Sequence, residues 1–154
     1  TYIKTYKGGL YLAVVLNLFS RKIIAWSMQV NMSKGIVIKA LLMAVWQRSP
    51  KQEVIVHSHQ GSQYASYDYH EFLTANNLVP SASRRGHSID NAVADSFFHS
   101  LTTERVKQKV YENRNEARAD LFDYIEMFCN RKRLHSHLGH VSPDEYENQF
   151  ITGS

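Results

Sequence analysis

The opening thirty residues constrain the fold more than any other stretch. Tyr2–Tyr6, Leu10–Phe19 and Lys22–Val30 are rich in aromatic and β-branched side chains, and only Lys7-Gly8-Gly9 and a turn within Asn17–Arg21 separate them. Connections that short permit hairpins and little else, so the chain is expected to begin as an antiparallel three-strand meander. The period then changes. Ile36, Val37, Ala40, Leu41, Ala44 and Val45 recur at three- and four-residue spacing, with Ser33 placed as an N-cap and Pro50 beyond the end, which predicts a core-packing helix.

Strands and helices alternate from there. Val54–His59 opens with VIV, a β-branched run that reads as a buried strand. Tyr67–Asn76 reads as a helix with Tyr69, Phe72 and Leu73 on its apolar side, and Leu78–Ser83 as a fifth strand that Pro80 confines to an edge or a strand end. A polar loop, Arg84–Asn91, precedes a helix over Ala92–Lys107. In that helix Val93, Phe97 and Leu101 point inward, while Asp95, His99 and Thr102 share a polar stripe. Glu116–Asn130 is amphipathic through Ala117, Leu121, Tyr124, Ile125 and Phe128, and Ser142-Pro143-Asp144-Glu145 marks a further helix start. The expected class is α/β, with a mixed five-stranded sheet flanked by helices. Open sheets of that class place their chemistry at strand carboxyl ends, which directs attention to His57–Tyr64, HSHQGSQY.

A length of 154 residues suits one domain, expected over 1–150, with 151–154 as a tail of the kind cloning leaves behind. Because the first residue is Thr1, a fragment of a longer protein is expected. No apolar run reaches the roughly 20 residues that a membrane helix needs, so no membrane partner is expected. A formal charge of +4 and a pI near 9.2 are compatible with a polyanionic partner, but so modest an excess is common in proteins that never touch nucleic acid. The single cysteine, Cys129, excludes an intrachain disulfide and agrees with a reducing, cytoplasmic setting.

Four phrases taken in order carry a specific resemblance: YLAVVLNLFSRKIIAWSM, VIVHSHQGSQY, PSASRRGHSIDNAVADSFFHSLTTE and NRKRLHSHLGHVSPDEYE. Together they resemble the catalytic core of bacterial insertion-sequence transposases of the retroviral-integrase type. The resemblance spans nearly the whole chain and implies a ribonuclease H-like fold, DNA as partner, magnesium or manganese as cofactor, a possible homodimer and a nucleoid-associated site of action. It also implies three acidic ligands, two aspartates and a glutamate, that hold two divalent ions for DNA strand transfer. Two hard cations a few ångströms apart need carboxylate oxygens to neutralise them and to stabilise the attacking and leaving oxygens of an in-line displacement.

By this resemblance the first aspartate falls two residues before Thr1, outside the chain. The second matches His59 and the third acid matches Asp95, with 35 residues between them, as the family's spacing requires. The frame is intact while the ligands differ, and His59 and Asp95 become the candidate catalytic and metal positions. A neutral imidazole lacks the charge and second oxygen of a carboxylate and cannot bridge two magnesium ions. An impaired or inactive strand-transfer site is therefore expected. Two alternatives stand beside it: a site rebuilt around His57, His59 and Asp95 for a softer metal, and a non-catalytic DNA-binding or dimerising module. Two further departures from the family pattern are Asn17, which stands before LFSR where relatives carry aspartate, and Thr102, which replaces a lysine expected to contact DNA phosphate.

The candidate DNA-facing set is Gln63, Tyr64, Arg84, Arg85, Asn91, Thr102, Arg105, Arg131 and Arg133. Arg84 and Arg85 flank a glycine-containing loop that should border the site. Gln63 and Tyr64 could hydrogen-bond to or stack on bases, though helix-start packing explains them equally well. Arg131, Lys132 and Arg133 form a basic run whose ordinary meaning is a solvated face. His135, His137 and His140 fall in a phrase normal for the family, which favours packing and phosphate contacts over metal binding.

Overall fold

The computed structural model describes residues 1–58, 66–80, 88–107, 110–131, 133 and 138–152. The expected meander is there. Strands β1 (Tyr2–Ile3), β2 (Leu10–Leu16) and β3 (Ile23–Gln29) form an antiparallel sheet in that order. A register shift between Val15 and Leu16 leaves Ile24 as an extra residue. That bulge changes the parity of β3, so Ile23 on one side of it and Trp26 and Met28 on the other all face one core cluster.

Helix α1 (Lys34–Arg48) forms where the spacing predicted a helix; Ser33 precedes it in an extended conformation but its side chain makes no capping bond, and Ser49 ends it in the left-handed region before Pro50. Then come β4 (Val54–Val56), α2 (Tyr67–Ala75), β5 (Leu78–Pro80), α3 (Ser88–Leu101), α4 (Arg114–Asp123) and α5 (Pro143–Thr152). Both α3 and α4 continue into π-helical turns, Thr102–Val106 and Tyr124–Cys129. The Lys107 N–H donates to the Thr102 carbonyl and the Asn130 N–H to that of Ile125, each one residue wider than an α-helical bond.

The five strands do not form one mixed sheet. Among the described residues β4 and β5 make a separate two-stranded parallel piece, Val54 opposite Leu78 and Val56 opposite Pro80. The β1 ladder holds two residues, with one further exchange of backbone bonds between Thr1 and Leu12, and among the described residues β4 pairs only with β5, so no ladder there reaches from the meander to β4. VIV is not a buried strand: Val54 is 43% and Ile55 64% exposed, and only Val56 packs into a core.

Two cores result, one on each face of the meander. Ile3, Leu10, Leu12 and Ile23 pack with Leu101, Tyr111, Ala117, Leu121, Tyr124 and Ile125 beneath α3 and α4. Val15 turns the other way and joins Leu41, Tyr69, Leu73 and Leu78 of α1, α2 and β5. Helix α5 is started by a capping box, with Ser142 N–H donating to Glu145 Oε2 (3.0 Å) and Glu145 N–H to Ser142 Oγ (3.3 Å). Its docking is both polar and aromatic: Glu147 accepts from Ser20 Oγ (2.6 Å) and Arg48 Nη2 (2.9 Å), Lys22 pairs with Asp144 (2.7 Å), and the Tyr146 and Phe150 rings pack on Phe19 with centroids 5.1 and 4.7 Å away.

Candidate active site

The site is approached from β4. His57 follows directly on Val56 and is exposed. Ser58 hydrogen-bonds to the Tyr69 phenol, whose pKa burial raises and this bond opposes, so the strand end is tied to α2. Helix α2 starts at Ser66, whose Oγ accepts from the Tyr69 N–H at 3.2 Å. His59, Gln63, Tyr64, Arg84 and Arg85 lie outside the described residues.

Asp95 is carried by α3. The helix starts at Ser88, four residues earlier than the sequence suggests, so Asn91 belongs to its first turn rather than to a loop. Leu101 is fully buried and Phe97 packs against the same core, which leaves Asp95 and His99 on the exposed side. The predicted polar stripe is therefore real. Its third member, Thr102, is half-buried and opens the π-helical turn.

Two arginines from the DNA-facing set have internal carboxylate partners. Arg105 pairs with Asp120 (2.6 Å) and Asp123 (3.5 Å), and its guanidinium lies over the Tyr124 ring, 5.3 Å from the centroid. Tyr111 donates to the other Asp120 oxygen. Arg133 bonds Glu104, which also accepts from the Tyr124 hydroxyl at 2.8 Å. Burial, more than any other cause, raises the Tyr111 and Tyr124 phenols above their ordinary value, and both hydroxyls donate to carboxylates. These contacts join the π-helical end of α3 to α4 and so set the direction of the helix that carries Asp95. Arg131 remains exposed, 3.8 Å from Asp144. His140 is exposed, while His135 and His137 lie outside the described residues. Cys129 is buried, which pushes its thiol up to about 11 and removes it from reactive chemistry.

Burial would raise the Glu104 carboxyl, but hydrogen bonds from Arg133 and Tyr124 and two nearby guanidinium charges outweigh it and hold the pKa below its ordinary 4.5. The stabilising contribution is therefore whole above pH 4.5 and is lost as pH falls through the lowered folded value. In urea melts between about pH 6 and about pH 3, the native protein and Glu104→Gln should converge toward acid. A gap that stays constant with pH contradicts this.

None of these polar contacts was visible in the sequence, because their partners stand 9 to 29 residues apart. Their one local signal was the run of apolar positions in α4 that places Tyr124 inward.

Among the described residues no group of three or more His, Cys, Asp and Glu side chains gathers as a metal site would require. The donors at the two matched positions, one imidazole and one carboxylate, do not fit a pair of magnesium ions.

A three-stranded antiparallel meander with a core on each face, followed by a parallel β4–β5 pair and a run of helices, defines an α/β scaffold. The integrase core domain profile matches residues 1–88, and a second profile of the same description matches 95–151. The chain belongs to the integrase core domain family. It is 46% identical over 151 residues to the transposase InsF for insertion sequence IS3fB of Escherichia coli K12, an alignment that covers 98% of this chain and 52% of that protein. The chain thus spans about half the length of the curated relatives it matches. Among solved structures it resembles one from the simian T-cell lymphotropic virus intasome, with a TM-score of 0.73 at 13% identity over 95% of this chain and 51% of that one. It also resembles the HTLV-2 integrase catalytic core domain in complex with magnesium, in its dimeric form, with a TM-score of 0.57 at 16% identity over 95% and 89% of the two chains. These likenesses show a ribonuclease H-like fold.

Proposed function

We propose that the chain is the DNA-handling core of an insertion-sequence transposase in which two-metal strand transfer is impaired. The observation that carries this reading is His59, which stands where the family's second aspartate belongs while the residues around it and the 35-residue spacing to Asp95 keep their places. Loss of a bridging carboxylate removes both a negative charge and an oxygen from a site that must neutralise two cations. What the chain supplies in this reading is a surface for DNA: Arg84 and Arg85 beside the site, Gln63, Tyr64 and Asn91 near bases or backbone, and the exposed Arg131. Arg105, Arg133 and Thr102 then act mainly by holding α3.

The test uses duplex DNA ending in the element's terminal sequence, with magnesium or manganese. The expected result is salt-dependent binding without nicking. Metal-dependent nicking by the unaltered chain, abolished by chelator, overturns the impairment. No binding at low salt overturns the DNA-handling role.

A further inference from the structure

A basic hollow lies between the β1–β2 hairpin and the start of α4. It has a volume of about 360 Å³, opens to solvent, and is lined by Lys7, Val30, Asn113, Arg114, Asn115 and Arg118. The hairpin is shaped around one of these cations. Gly8 has φ +95°, and a Cβ there would stand 2.5 Å from Arg114 Nη2, so glycine allows both the turn and the approach of the guanidinium. The Arg114 Nε–H donates to the Gly9 carbonyl at 3.0 Å. That bond holds the guanidinium by one edge and leaves the four N–H groups on its two Nη atoms to other acceptors.

A second observation is electrostatic. Arg114 and Arg118 stand four residues apart on one face of α4, where like charges repel. Arg114 is also the first residue of the helix, where the positive end of the dipole disfavours a cation. Lys7 adds a third positive charge from the facing hairpin. Among the described residues none of the three has a carboxylate at ion-pair distance. The nearest acid of the helix, Glu116, turns one oxygen to the Glu112 amide. An anion seated among these three cations would lower their mutual repulsion.

We propose that this hollow grips the phosphate backbone of duplex DNA as a further contact, made by residues other than those of the candidate site. The proposal rests on the DNA-handling reading above. Phosphate neutralisation by Lys7, Arg114 and Arg118 carries no sequence information, so it serves grip and orientation rather than recognition of the element end.

The test is duplex binding by fluorescence anisotropy across a salt series, with three double variants in the full chain. Lys7→Gln/Arg118→Gln removes two exposed cations and spares Arg114, whose bond to Gly9 supports the hairpin. Its log K against log salt slope should fall by about 2, with affinity at low salt reduced roughly tenfold or more. Lys39→Gln/Lys51→Gln removes the same charge from exposed positions elsewhere and should leave the slope within about 0.5 of the native value. Arg84→Gln/Arg85→Gln reports the site region. If it weakens binding while the hollow variant matches the native chain, the hollow proposal fails and the DNA-handling reading stands. Equal losses in the hollow and Lys39/Lys51 variants mean a bulk charge effect and also overturn the hollow. If the native chain binds no duplex, both fall together.

Discussion

Restoring carboxylates at both matched positions, His59→Asp with Asp95→Glu, should raise metal-dependent nicking of element-end DNA at least about a hundredfold. The comparison is made in a chain extended upstream so that an aspartate stands two residues before Thr1. The β1–β2 register gives that extension a place. Tyr2 opposes Tyr11 and Ile3 opposes Leu10, so a residue two before Thr1 falls opposite Val14. Val14 packs against the core cluster that includes Phe97 and Leu101 of α3, so the added residue would stand on the face of the meander that α3 covers. Each substitution has its own reason. His59→Asp returns charge and a second oxygen, and Asp95→Glu moves the carboxylate about 1.5 Å forward, one carbon–carbon bond. Errors of an ångström in a reacting geometry cost about a hundredfold, so the double variant should exceed either single one. Equal and negligible nicking in all four proteins, with DNA binding intact, would show that the site has lost more than its ligands.

Asn130→Ala should lower stability by about 3 kcal/mol, a fall in Tm of roughly 6–12 °C for a chain of this size. Asn130 is 1% exposed, and its side chain serves both polar groups of one strand residue. Oδ1 accepts from the Ile23 N–H at 2.9 Å, and Nδ2 donates to the Ile23 carbonyl at 3.0 Å. Its own carbonyl accepts from the Asp144 N–H at 2.9 Å, which ties the start of β3 to α5. Truncation leaves a buried donor and a buried acceptor without partners, a larger penalty than the mean value of a hydrogen bond. Urea melts beside the exposed Asn31→Ala, expected within about 0.5 kcal/mol of native, check this. A loss below about 1 kcal/mol would mean that water reaches Ile23 when the amide is gone.

Much of the architecture could be read locally. The meander, α1 with its helical period, α2 with Tyr69 and Leu73 inward, and the Ser142-Pro143 helix start all depend on residues within a few positions of one another, and turn chemistry and helical period act over that range. The candidate site was legible only in part. The spacing of His59 and Asp95 is a property of the sequence, and Asp95 does stand on the exposed side of its helix. Arg105 and Arg133 read as free cations because a basic run shows nothing of Asp120 or Glu104, which reach them only when α3 and α4 pack. The basic hollow was missed for the same reason, since Lys7 and Arg114 are brought together by the pairing of a hairpin with a distant helix end.

By itself, then, the sequence determined the order and type of most elements, the family frame, and the chemical identity of the residues at the two matched positions. Tertiary structure alone decided how strands were shared between two sheets, which arginines were neutralised, and that one asparagine joins β3 to α5. The division follows from range. Backbone propensity and side-chain period are set by near neighbours and are written along the chain, whereas ladders, ion pairs and buried polar contacts need a partner that only folding delivers.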